Sequence, residues 1–306
     1  MTTALVAITA VTLLLAGCGS GRKDDPAPEP LRSNPHTLLA TQAEAIALAA
    51  KAADRALAGL RVARDLHALE DIGRLTRMLA PLLVAADEAG GSGDIDCSRN
   101  PLRLAPLLCS GSMRIRTNQR EFGGTIPAGS FFELRFDRFQ LLTPDFERLR
   151  LTGDVTITYL TDFDPRAERG SLVYRSGGLS SNTDGTILDA SEGAMTVNYS
   201  DTGIVVETAR DRFIGLAATS SSDRDGTLAR GAIQSNFGTG FVEIRYANWV
   251  VAAGIAQPPS RATVGGAGGS HAIVDVGAAG AAGASGQVEI VQGGASQAFA
   301  VEIPGG

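Results

Sequence analysis

The stretch Phe132-Glu133-Leu134-Arg135-Phe136-Asp137 places an apolar residue at every second position and a charged residue after each of them. Alternate residues of a β-strand point to opposite faces of a sheet, so this period of two predicts a strand with one buried and one solvated face. The same pattern recurs at residues 113–116, 155–159, 195–199, 242–246 and 288–291. Turn-forming pairs such as Asp-Gly and Gly-Gly separate these segments. The sequence therefore predicts a mainly β fold over residues 91–306, as an antiparallel β-sandwich or an elongated rolled sheet.

The C-terminal part of this region is rich in glycine and alanine, as in the run GAAGAAGASG at residues 277–286. Residues 272–276 and 287–291 nevertheless alternate between apolar and polar positions. We therefore expect a terminal β-hairpin with Gly-rich and Ala-rich loops, as the last part of the β-domain.

Residues 37–90 have the periodicity of helices. Apolar residues follow one another at spacings of mainly three and four, first as Leu39, Ala43, Ile46, Ala50, Ala53, Leu57 and Leu60, and then as Leu66, Leu69, Ile72, Leu75, Leu79, Leu82 and Leu83. Gly73 and Pro81 are weak points, so we expect one or two amphipathic helices before the β-domain. The first apolar set, the predicted seam, either packs on the β-domain or serves oligomerisation or partner binding.

An uncharged apolar run over residues 4–17 ends in Leu15-Ala16-Gly17-Cys18. This ending resembles the lipobox of bacterial lipoproteins. The resemblance implies that residues 1–17 are a signal peptide, cut before Cys18, and that Cys18 carries a diacylglycerol and an acyl chain such as palmitate. Two or more acyl chains anchor a protein stably in a membrane. The alternative is a plain secretory signal in which Cys18 is incidental.

Residue 19 is Gly and not Asp, which under the enterobacterial sorting rule implies an outer-membrane location, facing the periplasm or the cell surface. Residues 18–36 follow as a lipidated tether, because four prolines among polar residues cannot bury a core. The layout from Cys97 onward resembles that of uncharacterised β-rich envelope lipoproteins of Gram-negative bacteria, a resemblance that implies no known activity.

Two further cysteines, Cys97 and Cys109, have 11 residues between them. An even pair in an exported chain predicts a disulfide, and closing a loop of this size contributes about 3 kcal/mol. A metal site or a catalytic thiol is the alternative. A metal site would need more ligands than these cysteines, and the three histidines, His36, His67 and His271, are scattered.

No nucleophile, zinc-protease or phosphate-loop motif occurs in the sequence. Asp223 and Asp225 are weak calcium candidates, as are Asp162 and Asp164, but hairpin turns use the same residue types. We therefore expect no metal and no cofactor. Alternating arginines at positions 114, 116 and 135 predict either cross-strand ion pairs or an anion-binding face.

The formal net charge of −6 disfavours nucleic acid as a partner. We expect a lipid-anchored cell-envelope protein with a non-enzymatic binding or scaffold role, held to the membrane at Cys18 and binding an envelope protein or glycan. A carrier of acyl chains and a hydrolase with paired carboxylates are the alternatives. A large apolar cavity would favour the carrier, and a filled core with an exposed apolar patch would favour the scaffold.

Overall fold

The computed structural model describes residues 30–83, 85–87, 90–97, 109–119, 124–142, 148–181, 185–187, 194–222 and 224–305. These residues form one long helix, α1 (Gln42–Leu83), and 17 strands of a single antiparallel sheet, which confirms the prediction of a mainly β fold. The strands are β1 (Ala85–Asp87), β2 (Gly90–Asp96), β3 (Cys109–Thr117), β4 (Phe131–Leu142), β5 (Arg148–Tyr159), β6 (Gly170–Ser181), β7 (Gly185–Thr186), β8 (Ala194–Ser200), β9 (Gly203–Glu207), β10 (Asp211–Ser222), β11 (Asp225–Phe237), β12 (Gly240–Ala252), β13 (Ile255–Gln257), β14 (Arg261–Gly265), β15 (His271–Ala279), β16 (Gly283–Gln292) and β17 (Ala295–Pro304).

The sheet is a meander in which neighbours in sequence are neighbours in space. Its main path runs from β1 to β6, on to β8 through β12, and then from β14 to β17. The short strands β7 and β13 pair beside that path, on β6 and β12. Among the described residues no registered pairing joins β17 to β1 or β2, so the sheet is not closed.

The period of two decides which side chains enter the core. In β12, Val242, Ile244 and Tyr246 are buried, while Arg245 between them is exposed. The register places Ile244 beside Ile233 of β11 on one side and Val264 of β14 on the other. Cross-strand packing of this kind repeats along the sheet and gives one continuous apolar core.

Helix α1 packs across the sheet, in contact with β2 and β3, with β10 to β12 and with β14 to β17. Three polar contacts fasten it there. The Tyr246 hydroxyl donates to the Ala52 carbonyl at 2.7 Å, and the Tyr199 hydroxyl donates to Glu70 Oε1 at 2.8 Å. Arg55 donates to the buried Asp211. Buried polar groups that find such partners add specificity to apolar packing.

The helix begins at a Thr cap. The Glu44 N–H donates to Thr41 Oγ1 at 3.2 Å, so Thr41 satisfies one of the free amides of the first turn. The Glu44 carboxylate does not return to the Thr41 amide, as it would in a capping box. It contacts His36 Nε2 at 3.0 Å instead, which ties the preceding chain to the helix.

Of the one or two helices that were expected, the described residues contain one, and α1 runs unbroken through Gly73 and Pro81. It ends earlier than the predicted limit of residue 90, since residues 85–87 and 90–96 pair with each other as β1 and β2. The run Gly90-Gly91-Ser92-Gly93 lies in β2. Pairing with β3 supplies the backbone hydrogen bonds there, which overrides the low strand propensity of glycine.

In the first three turns of α1 the predicted seam does not pack on the β-domain, which was one of its two predicted roles. Ala43 and Ile46 of that seam are exposed, and the buried side chains there are Ala45, Leu48, Ala49, Ala52 and Ala56. Alanine occupies both faces of this segment, so periodicity alone does not identify the inner one. Farther along, where leucine and isoleucine mark one face, Leu60, Leu69, Ile72, Leu75 and Leu79 are buried as expected.

Residues 30–36, predicted to belong to the tether, lie against the sheet. The His36 N–H donates to the Phe241 carbonyl at 2.7 Å, and the Phe241 N–H donates to the Asn34 carbonyl at 2.9 Å. Leu38, two residues later, is fully buried. Other polar groups of the segment bond elsewhere on the sheet: the Arg32 N–H donates to Asn236 Oδ1 of β11 at 2.8 Å, and the His36 carbonyl accepts the Ala267 N–H at 2.7 Å.

Candidate binding groove

The predicted attachment residue Cys18 lies outside the described residues, as does the chain up to residue 29. Cys97 is disulfide-bonded, and its N–H donates to the Gly111 carbonyl of β3 at 3.0 Å. Cys109 is the first residue of β3, but its side chain is outside the described part of the chain. The pairing of Cys97 with Cys109 therefore stays a prediction.

Carboxylates at the proposed calcium positions hold turns together. Asp225 Oδ1 accepts the Ala253 N–H at 2.6 Å and so links the β10–β11 turn to the β12–β13 turn. Asp164 Oδ1 accepts two backbone amides, which lower the pKa of that carboxyl. Asp223 lies outside the described residues. Within the described residues no group of three or more His, Cys, Asp or Glu side chains is placed to hold a metal ion.

The alternating arginines form ion pairs across neighbouring strands. Arg114 contacts Asp94, Arg116 contacts Glu133, and each pair sits at directly opposed positions of the ladder. Arg135 and Asp154 repeat the arrangement between β4 and β5, at 3.8 Å. All of these side chains are largely exposed, so water and salt screen the charges and each pair contributes little to stability. The arginines therefore form cross-strand ion pairs on the sheet surface, which was the first of the two predictions made for them.

A large groove lies where α1 passes the last strand of the sheet. Gln42, Ile46 and Ala50, spaced four residues apart on one stripe of the helix, form one wall, and residues 300–304 of β17 form the other. Residues 278–280 and 282–285, around the β15–β16 turn, line its end. We call this feature the edge groove. Its volume of about 1030 Å³ is at the upper end of the range of roughly 300–1,000 Å³ that is common for ligand pockets.

Small and apolar side chains dominate the edge groove. Alanine and glycine supply more than half of its lining, and Ile46, Val301, Ile303 and Pro304 supply most of the rest. Glu302 is the one charged residue among those that line it, and Gln42 and Ser285 are the other polar ones. Ser285 of β16 lies opposite Glu302 of β17 in the ladder, and its hydroxyl donates to the Ala278 carbonyl at 3.5 Å. Glu302 is the one carboxylate of the lining, so the lining holds no pair of carboxylates.

One side of the groove is the free edge of β17. In the described residues β17 pairs with β16 alone, and the Ala300 carbonyl accepts a hydrogen bond from Gln42 Nε2 at 2.9 Å instead of one from a further strand. The side chains of Phe299, Val301 and Ile303 turn into the core. The groove thus places main-chain polar groups beside an apolar helix face.

A second, smaller cavity of about 240 Å³ lies between α1 and strands β9 and β10. Its walls are mainly apolar, and Glu70 stands at its border with His67. Burial raises the pKa of the Glu70 carboxyl, although the Tyr199 hydrogen bond acts in the opposite direction. Burial beside Tyr174 and Glu70 also raises the pKa of Tyr199. Glu70 is the one carboxylate among the residues that line this cavity.

Sequence reasoning did not locate the edge groove, although one signal for it was present. Ile46 and Ala50 belong to the predicted seam, for which partner binding was the alternative to packing on the β-domain. The structure leaves Ile46 46% exposed and places it in the groove wall. The signal for the groove in the sequence was therefore a second apolar stripe on α1, on a different side of the helix from the buried stripe.

No protein-family model, curated protein or solved structure matches this chain. No helix in the described residues is both long and apolar enough to cross a membrane. The geometry of the edge groove and the residues around Cys18 are therefore the features that bear on function.

Proposed function

We propose that this chain is a lipid-anchored cell-envelope protein that binds a ligand non-covalently in the edge groove and carries out no chemical step. The observation that carries the proposal is the groove itself, an open space of about 1030 Å³ between α1 and β17 with an apolar lining and a single charged residue. Surface apolar concavities of this size mark binding sites on soluble domains.

The anchor in this proposal is the lipid on Cys18, in the outer membrane and facing the periplasm or the cell surface. Eleven residues separate Cys18 from Pro30, the first described residue. Fully extended, they reach at most about 40 Å. Such a tether keeps the groove close to the membrane surface while the protein stays attached, so the groove meets ligands near that surface.

The shape in this proposal is the rolled sheet and not the sandwich. Its support is the contact pattern of α1, which touches β2 and β3 near one end of the meander and β14 to β17 at the other. Contact of one helix with strands near both ends of the sheet supports a sheet that curves around α1. The helix then fills the concave side, and the space left for a ligand lies where the last strand meets the helix.

The anchor is tested by labelling cells with an alkyne-bearing fatty acid. We expect the wild-type chain to take up the label and the Cys18→Ser chain to take up none, because serine lacks the thiol that receives the diacylglycerol. Equal labelling of the two chains would show that Cys18 is not the attachment residue.

The groove is tested by photo-crosslinking in intact envelopes, with a photoreactive amino acid in place of Ala282. We expect a covalent adduct that disappears in Ala50→Trp, whose indole fills the groove. Ala47→Trp is the matched control, because Ala47 lies on the same helix three residues earlier and is exposed outside the groove. An adduct unaffected by Ala50→Trp, or lost equally in both variants, would contradict binding in the groove.

An acyl-chain carrier is the second candidate, favoured by the size and apolarity of the groove. The mass of the adduct separates the candidates, since a carrier yields a lipid adduct and an interaction protein yields a polypeptide adduct.

A further inference from the structure

We propose that the ligand of the edge groove is an extended segment of another polypeptide, which adds to the sheet as a strand beside β17. The inference rests on the proposed function, because it names the partner of the same groove. Strand addition is a recurring mode of peptide recognition, in which main-chain hydrogen bonds give affinity and pockets for alternate side chains give specificity.

The hydrogen-bond pattern of β17 shows which groups are available for pairing. In an antiparallel ladder the residues of an edge strand alternate, one bonding to the neighbour strand and the next pointing its N–H and C=O outward. The Ala300 carbonyl faces Gln42 on α1, and the Gly305 N–H, five residues later, bonds to the Ala282 carbonyl. Both contacts set the same phase, so the outward residues are the even-numbered ones, Ala298, Ala300, Glu302 and Pro304.

Within the groove, the even-numbered residues leave two amides and the Glu302 carbonyl directed at the space where a ligand lies. The Ala300 carbonyl already accepts a hydrogen bond from the Gln42 side chain. An acyl chain in this position would bury those amides without pairing them, and each unsatisfied amide weakens binding. A peptide strand at the usual spacing of about 4.8 Å pairs the same groups. The polar edge inside an apolar groove therefore favours a peptide over a lipid.

The dimensions fit one short strand. Residues 300–304 of β17 line the groove, and at about 3.4 Å per residue they match a peptide segment of about five residues. Helix α1 stands on the far side of that space. A second copy of this chain would have to bring its own β17 together with the helix that flanks it, which a groove bounded by α1 does not admit.

The lining also indicates the sequence of the partner. Ile46 and Ala50 face the space from the helix, so alternate side chains of the bound segment contact an apolar stripe. Glu302 is the charged residue of the lining, which favours a neutral or basic segment over an acidic one. The partner is therefore an extended, unpaired polypeptide segment with small apolar residues at every second position.

The experiment begins with a displayed library of random heptapeptides, selected on the full chain carrying Cys18→Ser and depleted on the same chain carrying Ala50→Trp. The selected peptide is then titrated against two variants at one position. Glu302→Pro removes the outward N–H, and edge strands tolerate proline at such positions. Glu302→Gln keeps the N–H and removes the charge.

We expect Glu302→Pro to weaken binding about tenfold and Glu302→Gln to change it by less than about threefold, since the amide and not the charge makes the ladder. Hydrogen exchange by NMR supplies a second measurement. Bound peptide should slow exchange at the Ala300 and Glu302 amides. Peptides that bind in the groove with no protection of these amides, and with equal effects of both variants, would overturn strand addition.

Two further measurements test the other occupants. The first is binding of a fluorescent derivative of hexadecanoic acid, and the second is self-association of the protein alone. Fatty-acid binding that Ala50→Trp abolishes, with no peptide selected, would overturn strand addition and leave the proposed function standing. Self-association that depends on the β17 edge would also overturn it, in favour of a second copy. Binding of neither probe, with Ala50→Trp indistinguishable from Ala47→Trp, would overturn the proposed function as well.

Discussion

The pKa of the Glu70 carboxyl depends on the position of this side chain between the helix and the sheet. Its carboxyl accepts the Tyr199 hydroxyl at 2.8 Å and borders the smaller cavity, and burial raises its pKa. Arg74 and His67 on the same helix act against that shift, and Glu168 acts with it. Desolvation dominates because none of these charges forms an ion pair with Glu70 among the described residues.

The raised pKa predicts how stability depends on pH. A carboxyl whose pKa is higher in the folded state binds more protons there, so its favourable contribution is complete below its unfolded pKa, about 4.3, and is lost as the pH rises through the folded pKa. Glu70→Gln keeps an acceptor for Tyr199 and carries no charge. We expect this variant to gain stability relative to the wild type as the pH rises from about 4 to about 8.

Urea denaturation of both chains across that pH range measures the difference in free energy of unfolding. A difference that stays constant, or that shrinks with rising pH, would show that the folded state does not favour the neutral carboxyl.

At the scale of elements, α1 is the only helix of more than one turn among the described residues, and its glycines reveal how tightly it is packed. Both Gly59 and Gly73 lie inside the helix, where glycine costs about 1 kcal/mol relative to alanine. A Cβ at Gly73 would lie 3.4 Å from Arg77 Nη1 and 3.7 Å from Tyr174 Oη, at ordinary contact distances. At Gly59 it would lie 3.1 Å from Ile233 Cδ1, which is a tighter fit against the sheet.

The different space beside Gly73 and Gly59 predicts different effects on stability for alanine at the two positions. We expect Gly73→Ala to raise the free energy of unfolding by about 0.5–1 kcal/mol, because helix propensity improves and the nearest atom belongs to a flexible side chain. Gly59→Ala should gain less or lose stability, because Ile233 in β11 must shift to admit the methyl group. Thermal and urea denaturation of the two variants test this ranking, and a larger gain at Gly59 would refute it.

At the scale of the whole molecule, the antiparallel sheet has two ends that do not pair with each other, and different features protect them. Near the first end, the strand β2 precedes the disulfide-bonded Cys97. At the other end, β17 carries Glu302 and Pro304 but no lysine, and α1 covers it only in part. Exposed strand edges are templates for strand pairing, so an edge that α1 covers only in part is consistent with a recognition site.

The predicted Cys97–Cys109 disulfide should stabilise the molecule as a whole, because that bond would join the end of β2 to the start of β3, and all later strands extend the meander from there. We expect a reducing agent to lower the Tm of the wild-type chain by about 5–10 °C, the equivalent of about 3 kcal/mol for a closed loop of this size. Cys97→Ala should have the lower Tm from the start and should not respond to the reductant. A wild-type Tm unaffected by reduction would show that the bond contributes nothing to stability.

The sequence by itself determined the β class, the presence of a helix and seven of the strands, because a period of two or of 3.6 is a local property of side-chain order. Those strands are β3, β4, β5, β8, β12, β15 and β16. It also indicated the cross-strand ion pairs, since alternation places like positions on one face. The inner face of α1 before Ala53 was decided by the sheet, because alanine occurs on both sides of the helix and carries no phase. The path of residues 30–36 and the strand at the Gly-rich run 90–93 were likewise decided by backbone partners far away in sequence. The edge groove follows from where the last strand stops beside a helix that begins more than 250 residues earlier, and only the tertiary structure brings those two elements together.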